Sequence, residues 1–139
     1  PVIVAACYTS IEYLKESAYE RNLLHEKTQL LRLAMQKARI PIMACSQTHI
    51  LPVLVGNAKK CKAAAERLLN LHQIYLQPIN PPTVLEGTER FRINVTPNHS
   101  TQQIKELVTA LTEVFHYFEI PFLREQENDT NFIRAASSA

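Results

Sequence analysis

The chain has 139 residues, room for one domain and scarcely two. Its 15 Lys and Arg against 13 Asp and Glu leave a formal charge of +2, which excludes a nucleic-acid binder held by electrostatics. It has 2 glycines, Gly56 and Gly87, where average usage of about 7% would give roughly ten, so neither a P-loop nor a dinucleotide fingerprint can be built from it. Residues 2–16 have helical spacing, with Val4, Cys7, Tyr8, Ile11 and Leu14 on one stripe. Ser17 and Glu20 form a capping-box pattern ahead of a second helix that runs to Arg39, with an apolar stripe of Leu24, Leu31, Ala34, Met35 and Ala38. Ile40-Pro41 ends it, because the residue before proline is pushed away from helical angles.

Residues 42–44 predict a short strand and 49–55 a longer one, kept to a sheet edge or an irregularity by Pro52, which has no N–H. Gly56-Asn57 makes a turn, and Asn57 can cap a third helix from 58 to 71 that buries Cys61, Ala65, Leu68 and Leu69. A strand is expected over 74–77. Pro78, Pro81 and Pro82 then stiffen a loop that carries Asn80 and Thr83. Residues 90–95 alternate most regularly, Phe91, Ile93 and Val95 against Arg90, Arg92 and Asn94, which predicts a strand with one core face and one polar face. Ser100 and Gln103 cap a fourth helix to Phe118, with a stripe of Ile104, Leu107, Val108, Leu111, Phe115 and Phe118. The expected fold is α+β: two N-terminal helices over 1–40, then a small, mostly antiparallel sheet of three to four strands with helices on one face over 41–120. A polar, partly disordered tail is expected over 121–139.

The three cysteines are widely spaced, odd in number and without a Cys-x-x-Cys pair, so they read as reduced thiols rather than a disulfide framework or a zinc site. The five histidines lack the spacing of a helical metal site, and no metal is expected. No apolar run is long enough to span a bilayer, and no membrane association is expected. The chain opens on Pro1 rather than Met, which suggests a processed or excised segment. Lys27 and Lys105 lie on polar helix faces, unlike the apolar pocket that a Schiff-base lysine requires. Arg92 draws the most interest, since a guanidinium on a strand is a precisely held fork for a carboxylate, although an ion-paired surface role fits the same position.

The stretch from Thr48 to Ser100 changes that balance. Thr48-His-Ile-Leu-Pro-Val-Leu-Val-Gly-Asn57 resembles the Ser-His-Ile-x-Pro-Val block of the α-oxoamine synthases, pyridoxal-phosphate enzymes that condense an amino acid with an acyl-CoA. His72-Gln-Ile-Tyr-Leu-Gln-Pro-Ile-Asn80, Pro82-Thr-Val, Gly87-Thr-Glu-Arg-Phe-Arg-Ile93 and Thr96-Pro-Asn-His99 continue in the family's order, the first of them resembling the aminolevulinate-forming branch. The resemblance implies the C-terminal domain of a fold-type I enzyme that joins glycine to succinyl-CoA, giving 5-aminolevulinate, CoA and CO2 for tetrapyrrole and haem synthesis. Arg92 matches the arginine that binds the amino-acid carboxylate, and Thr83 the threonine that lines the acyl-CoA pocket and holds the succinyl carboxylate. His49 and His99 match family blocks with a structural role.

The family's cofactor lysine, the aromatic over the pyridine ring, the Asp at its nitrogen and the Gly-rich segments would all lie upstream of Pro1. The resemblance therefore implies that pyridoxal phosphate sits on an upstream large domain, that the intact enzyme is a homodimer, and that this chain alone is inactive. It also implies a bacterial cytoplasmic enzyme, or a mitochondrial matrix one if eukaryotic. Pro81 departs from the branch, and Asn-Pro-Pro-Thr-Val is closer to the 8-amino-7-oxononanoate branch, which uses alanine and a pimeloyl donor. Thr48, Phe91 and Asn94 also replace commoner residues. A third reading is a free-standing α+β binding or dimerisation module without catalysis.

Overall fold

The computed structural model describes residues 1–124. Among them the elements run α1 (Val2–Glu16), α2 (Tyr19–Lys37), β1 (Ile50–Leu54), α3 (Ala58–His72), β2 (Gln77–Ile79), β3 (Arg90–Asn94) and α4 (Thr101–Tyr117). The three strands form one antiparallel sheet in the order β1-β3-β2. The architecture is the α+β arrangement expected from the sequence.

The alternation in β3 decides which face is covered. Phe91, Ile93 and Val95 are buried with Leu51, Val53 and Val55 of the neighbouring chain segment. Against them pack Cys61, Ala64 and Leu68 of α3, Leu111, Val114 and Phe115 of α4, and Leu31 and Met35 of α2. Leu69, expected in the α3 stripe, is 47% exposed, and Ala64 takes the inward position beside Cys61 and Leu68. A small residue there lets the helix lie close to the sheet.

Local chemistry sets the element ends. The Asn57 side chain accepts the Lys60 N–H at 3.0 Å and starts α3. In α4 both halves of the capping box form: Ser100 Oγ accepts the Gln103 N–H at 3.1 Å, and Gln103 Oε1 accepts the Ser100 N–H at 2.8 Å. The box expected at Ser17 does not form. The Ser17 N–H is already spent on the Tyr13 carbonyl, closing α1, so Glu20 has no free N–H to reach back to. Glu20 instead accepts the Tyr13 hydroxyl at 2.6 Å and the Ser17 hydroxyl at 2.8 Å, and those two bonds hold its carboxyl below the usual range. The N-cap of α2 is Ala18, without a side-chain cap.

Pro52 lies on an edge strand, as its missing N–H requires. Its carbonyl faces outward and accepts the Met43 N–H at 2.9 Å, and the Leu54 N–H reaches the Pro41 carbonyl at 3.0 Å. The strand expected over 42–44 shrinks to a single bridge between Ile42 and Val53, because two prolines, Pro41 and Pro52, interrupt that ladder. β2 begins three residues later than expected. Residues 73 and 74 are used to leave α3: Gln73 takes the left-handed conformation at φ 56°, and the Ile74 N–H closes on the Leu68 carbonyl at 3.1 Å.

α1 forms as expected but buries none of its residues, and Val4, Tyr8, Ile11 and Leu14 are exposed. After α4 the chain is pinned for a further stretch. Ile120 is buried, the Phe122 ring lies 5.5 Å from that of Phe115, and the Leu123 N–H donates to the Arg39 carbonyl at 2.9 Å. The rest of the expected tail, 125–139, lies outside the described residues.

Candidate functional site

The second face of the sheet carries the side chains that alternate away from the core. Ile50, Pro52 and Leu54 of β1, Arg90, Arg92 and Asn94 of β3, and Gln77 and Ile79 of β2 share this open face. Arg92 sits at its middle, paired across the ladder with Pro52 on one side and Gln77 on the other. The backbone beneath it is therefore fixed from both sides.

The two arginines of β3 differ in what they hold. Arg90 donates from Nε to the Thr88 carbonyl at 2.8 Å and from Nη2 to the Thr88 hydroxyl at 3.1 Å, so it fastens its own loop. Arg92 is exposed and has no side-chain hydrogen bond or ion pair among the described residues. Its fork is open to an anion, which is the state a carboxylate clamp needs before substrate arrives. Arg92 also borders a cleft of about 490 Å³, with His72, Gln77, Asn94, His99 and Gln103 around it. Inside that wall His99 Nδ1 accepts the Thr96 N–H at 3.1 Å, which ties the ring to the turn ahead of α4. The His49 carbonyl accepts the Val95 N–H at 3.4 Å, extending the ladder past β1.

Thr83 is exposed on the β2–β3 loop and lines neither this cleft nor a second one of about 450 Å³ beside α3. Its own N–H donates to the Asn80 carbonyl at 3.1 Å. Asn80 Nδ2 in turn donates to the Ala58 carbonyl at 3.4 Å, tying the loop to the start of α3. Thr83 and Arg92 thus belong to one hairpin-like unit, Thr83 on the connection and Arg92 on the strand that follows, without sharing a cleft wall.

Glu89 did not stand out in the sequence, yet it is the buried charge of this unit at 1% exposure. The signal was there. Positions 89, 91, 93 and 95 share the inward phase of the strand, and Glu89 is the one carboxylate in that phase.

The described residues do not fit pyridoxal phosphate. No lysine borders the Arg92 cleft, and Lys60, on the wall of the second, donates Nζ to the Glu119 carbonyl at 3.2 Å. Gly56 and Gly87 both serve tight turns, with φ of +74° and +83°, and form no phosphate cradle. Among the described residues no group of three or more His, Cys, Asp or Glu side chains gathers as a metal site. No described helix is long and apolar enough to cross a membrane.

The family model for aminotransferases of class I and II matches residues 1–111. The chain is 40% identical over 121 residues to a 5-aminolevulinate synthase of Bradyrhizobium diazoefficiens, covering 87% of this chain and 29% of that protein. It is 35% identical over 138 residues to a mitochondrial 5-aminolevulinate synthase of Saccharomyces cerevisiae, covering 99% of this chain and 25% of that protein. The chain therefore spans between a quarter and a third of the length of these relatives. In structure it resembles the 8-amino-7-oxononanoate synthase of Francisella tularensis, with a TM-score of 0.72 at 15% identity over 85% of this chain and 34% of that one. It also resembles a serine palmitoyltransferase of S. paucimobilis with a bound PLP–myriocin aldimine, with a TM-score of 0.69 at 18% identity over 80% of this chain and 28% of that one.

Proposed function

The chain belongs to the class I and class II aminotransferase family, and from that premise we propose that it is the substrate-binding C-terminal part of a 5-aminolevulinate synthase. The intact enzyme would condense glycine with succinyl-CoA to give 5-aminolevulinate, CoA and CO2, as a pyridoxal-phosphate-dependent acyltransferase and a homodimer. The cofactor belongs to an upstream large domain, since the residues described here do not fit it. This chain by itself is inactive on that reading. The enzyme would act in a bacterial cytoplasm, or in the mitochondrial matrix if the source is eukaryotic.

The observation that carries the proposal is Arg92, a guanidinium without a partner among the described residues, held at the centre of an open sheet face. A bidentate bond to the glycine carboxylate fixes two points of a very small substrate. The remaining freedom is rotation about the axis through that clamp, and holding the amino group elsewhere in the intact enzyme removes it, so that the Cα bond to be broken is presented in one orientation. Thr83 supplies a hydroxyl donor for the far carboxylate of the succinyl group. The two residues divide the labour, one acid group each, which suits their placement on different parts of the β2–β3 unit.

Replacing Arg92 with Leu in the intact enzyme removes the clamp. The expected result is a rise in the KM for glycine of about 100-fold, the cost of losing one partner of a charged, bidentate pair. Arg92→Lys recovers only part of this, because an ammonium cannot form the fork. An unchanged KM for glycine would remove Arg92 from the site. Pro81 favours a second reading, an 8-amino-7-oxononanoate synthase using alanine and a longer acyl donor. The acyl donor separates the two.

A further inference from the structure

We infer that Glu89 is a positioning residue for the acyl-donor side of the site, acting through the loop that carries Thr83. The inference rests on the reading of Thr83 given above. A carboxylate almost wholly withdrawn from water is costly, and an apolar residue in the same inward phase would pack with Phe91 and Ile93 without that cost. What Glu89 does in return is hold backbone. Its Oε2 accepts the Gly87 N–H at 3.0 Å. Its own carbonyl accepts both the Val55 N–H at 2.8 Å and the Gly56 N–H at 3.0 Å, so the same residue ties the loop to the end of β1. The two glycine turns lie against each other there, with a Cβ at Gly56 placed 3.6 Å from the Gly87 carbonyl.

This anchor is one of two that span the loop. At the entry, Asn80 holds to α3 and receives the Thr83 N–H. At the exit, Thr88 turns back on Leu85 through both its N–H and its hydroxyl, and Arg90 clasps Thr88. Between the anchors Leu85 is 81% exposed and Val84 alone is half-buried, so little packing holds the middle of the loop. Thr83 is therefore only as well placed as the ends. Arg92 is independent of this device, because strands on both sides fix its backbone.

The test uses the intact enzyme carrying Glu89→Ala, Glu89→Gln and Glu89→Asp, with kcat and KM measured for each substrate. Alanine leaves the Gly87 N–H without an acceptor. The KM for the acyl-CoA should rise about tenfold while the KM for the amino acid stays within about twofold. Glutamine keeps an acceptor oxygen and should recover most of the loss. Aspartate keeps the charge but falls short by one methylene, so it should lie between the two, and it takes the place of the alanine variant if that fails to fold. Equal movement of both KM values, no movement of either, or a glutamine variant no better than the alanine one would overturn the role of Glu89. Failure of the underlying reading looks different: Thr83→Val in the enzyme with Glu89 intact would then leave the KM for succinyl-CoA unchanged.

Discussion

At the scale of single residues, β3 and the residue before it show how three neighbouring charges take three different tasks. Arg92 was legible from alternation alone, since an arginine in the polar phase of a regular strand must face outward. Its freedom from partners was not, because Arg90 has the same phase and is tied to Thr88. Glu89 was missed because the alternation was read from Arg90 onward, and the buried phase begins one residue earlier. Cys61 gives a residue-scale prediction. Burial, reinforced by the Glu89 charge, pushes its thiol up to about 11, and Sγ donates to the Arg90 carbonyl at 3.6 Å. A raised thiol value means that the neutral form is the one the fold favours. Its contribution to stability is complete below the ordinary value of 9.0 and is lost as pH rises toward about 11. At pH 8, peptide mapping of the native enzyme after alkylation should find Cys61 unmodified, with full labelling once denaturant is added. Labelling in the native state at the rate of a free thiol would contradict the burial described here.

At the scale of elements, capping chemistry and proline placement explain most of the agreement and most of the misses. α3 and α4 begin where Asn57 and Ser100 stand, because each side chain satisfies an orphan N–H. Ser100→Ala should destabilise the folded enzyme by about 1 kcal/mol in a denaturant titration, with little change in either KM. No change in stability would mean that the box does not hold α4. The false box at Ser17 had the same spacing, with Glu20 in the place that Gln103 takes in α4, but its backbone N–H was committed to α1, which a spacing rule cannot detect. The misplaced β2 has a similar origin, since the chain needs residues to turn out of a left-handed cap before it can pair. α1 is a helix, as its spacing predicts, and no residue of its apolar stripe is buried. Periodicity reports that a face is apolar and not what lies against it.

At the scale of the whole molecule, the sheet with helices on one face follows from patterning, and the core follows from the β3 and α4 periods meeting at Phe91, Leu111 and Phe115. Phe115 also receives the Phe122 ring, so it binds the last described segment to the core. Phe115→Ala should cost about 3–5 kcal/mol of stability by chemical denaturation, as expected for an aromatic deleted from a closed core. A loss below about 1 kcal/mol would place it outside the core. The scarcity of glycine, first an argument against phosphate loops, agrees with a site that handles substrate carboxylates and leaves the cofactor to another part of the enzyme. On the proposed function, this part belongs to a glycine-using, succinyl-CoA-using synthase. The most direct measurement is CoA release by the intact enzyme with pyridoxal phosphate, comparing glycine plus succinyl-CoA with alanine plus pimeloyl-CoA. The expected result is rapid turnover of the first pair, with 5-aminolevulinate as product, and little of the second. A preference for alanine and pimeloyl-CoA, or no CoA release with either pair, would contradict it.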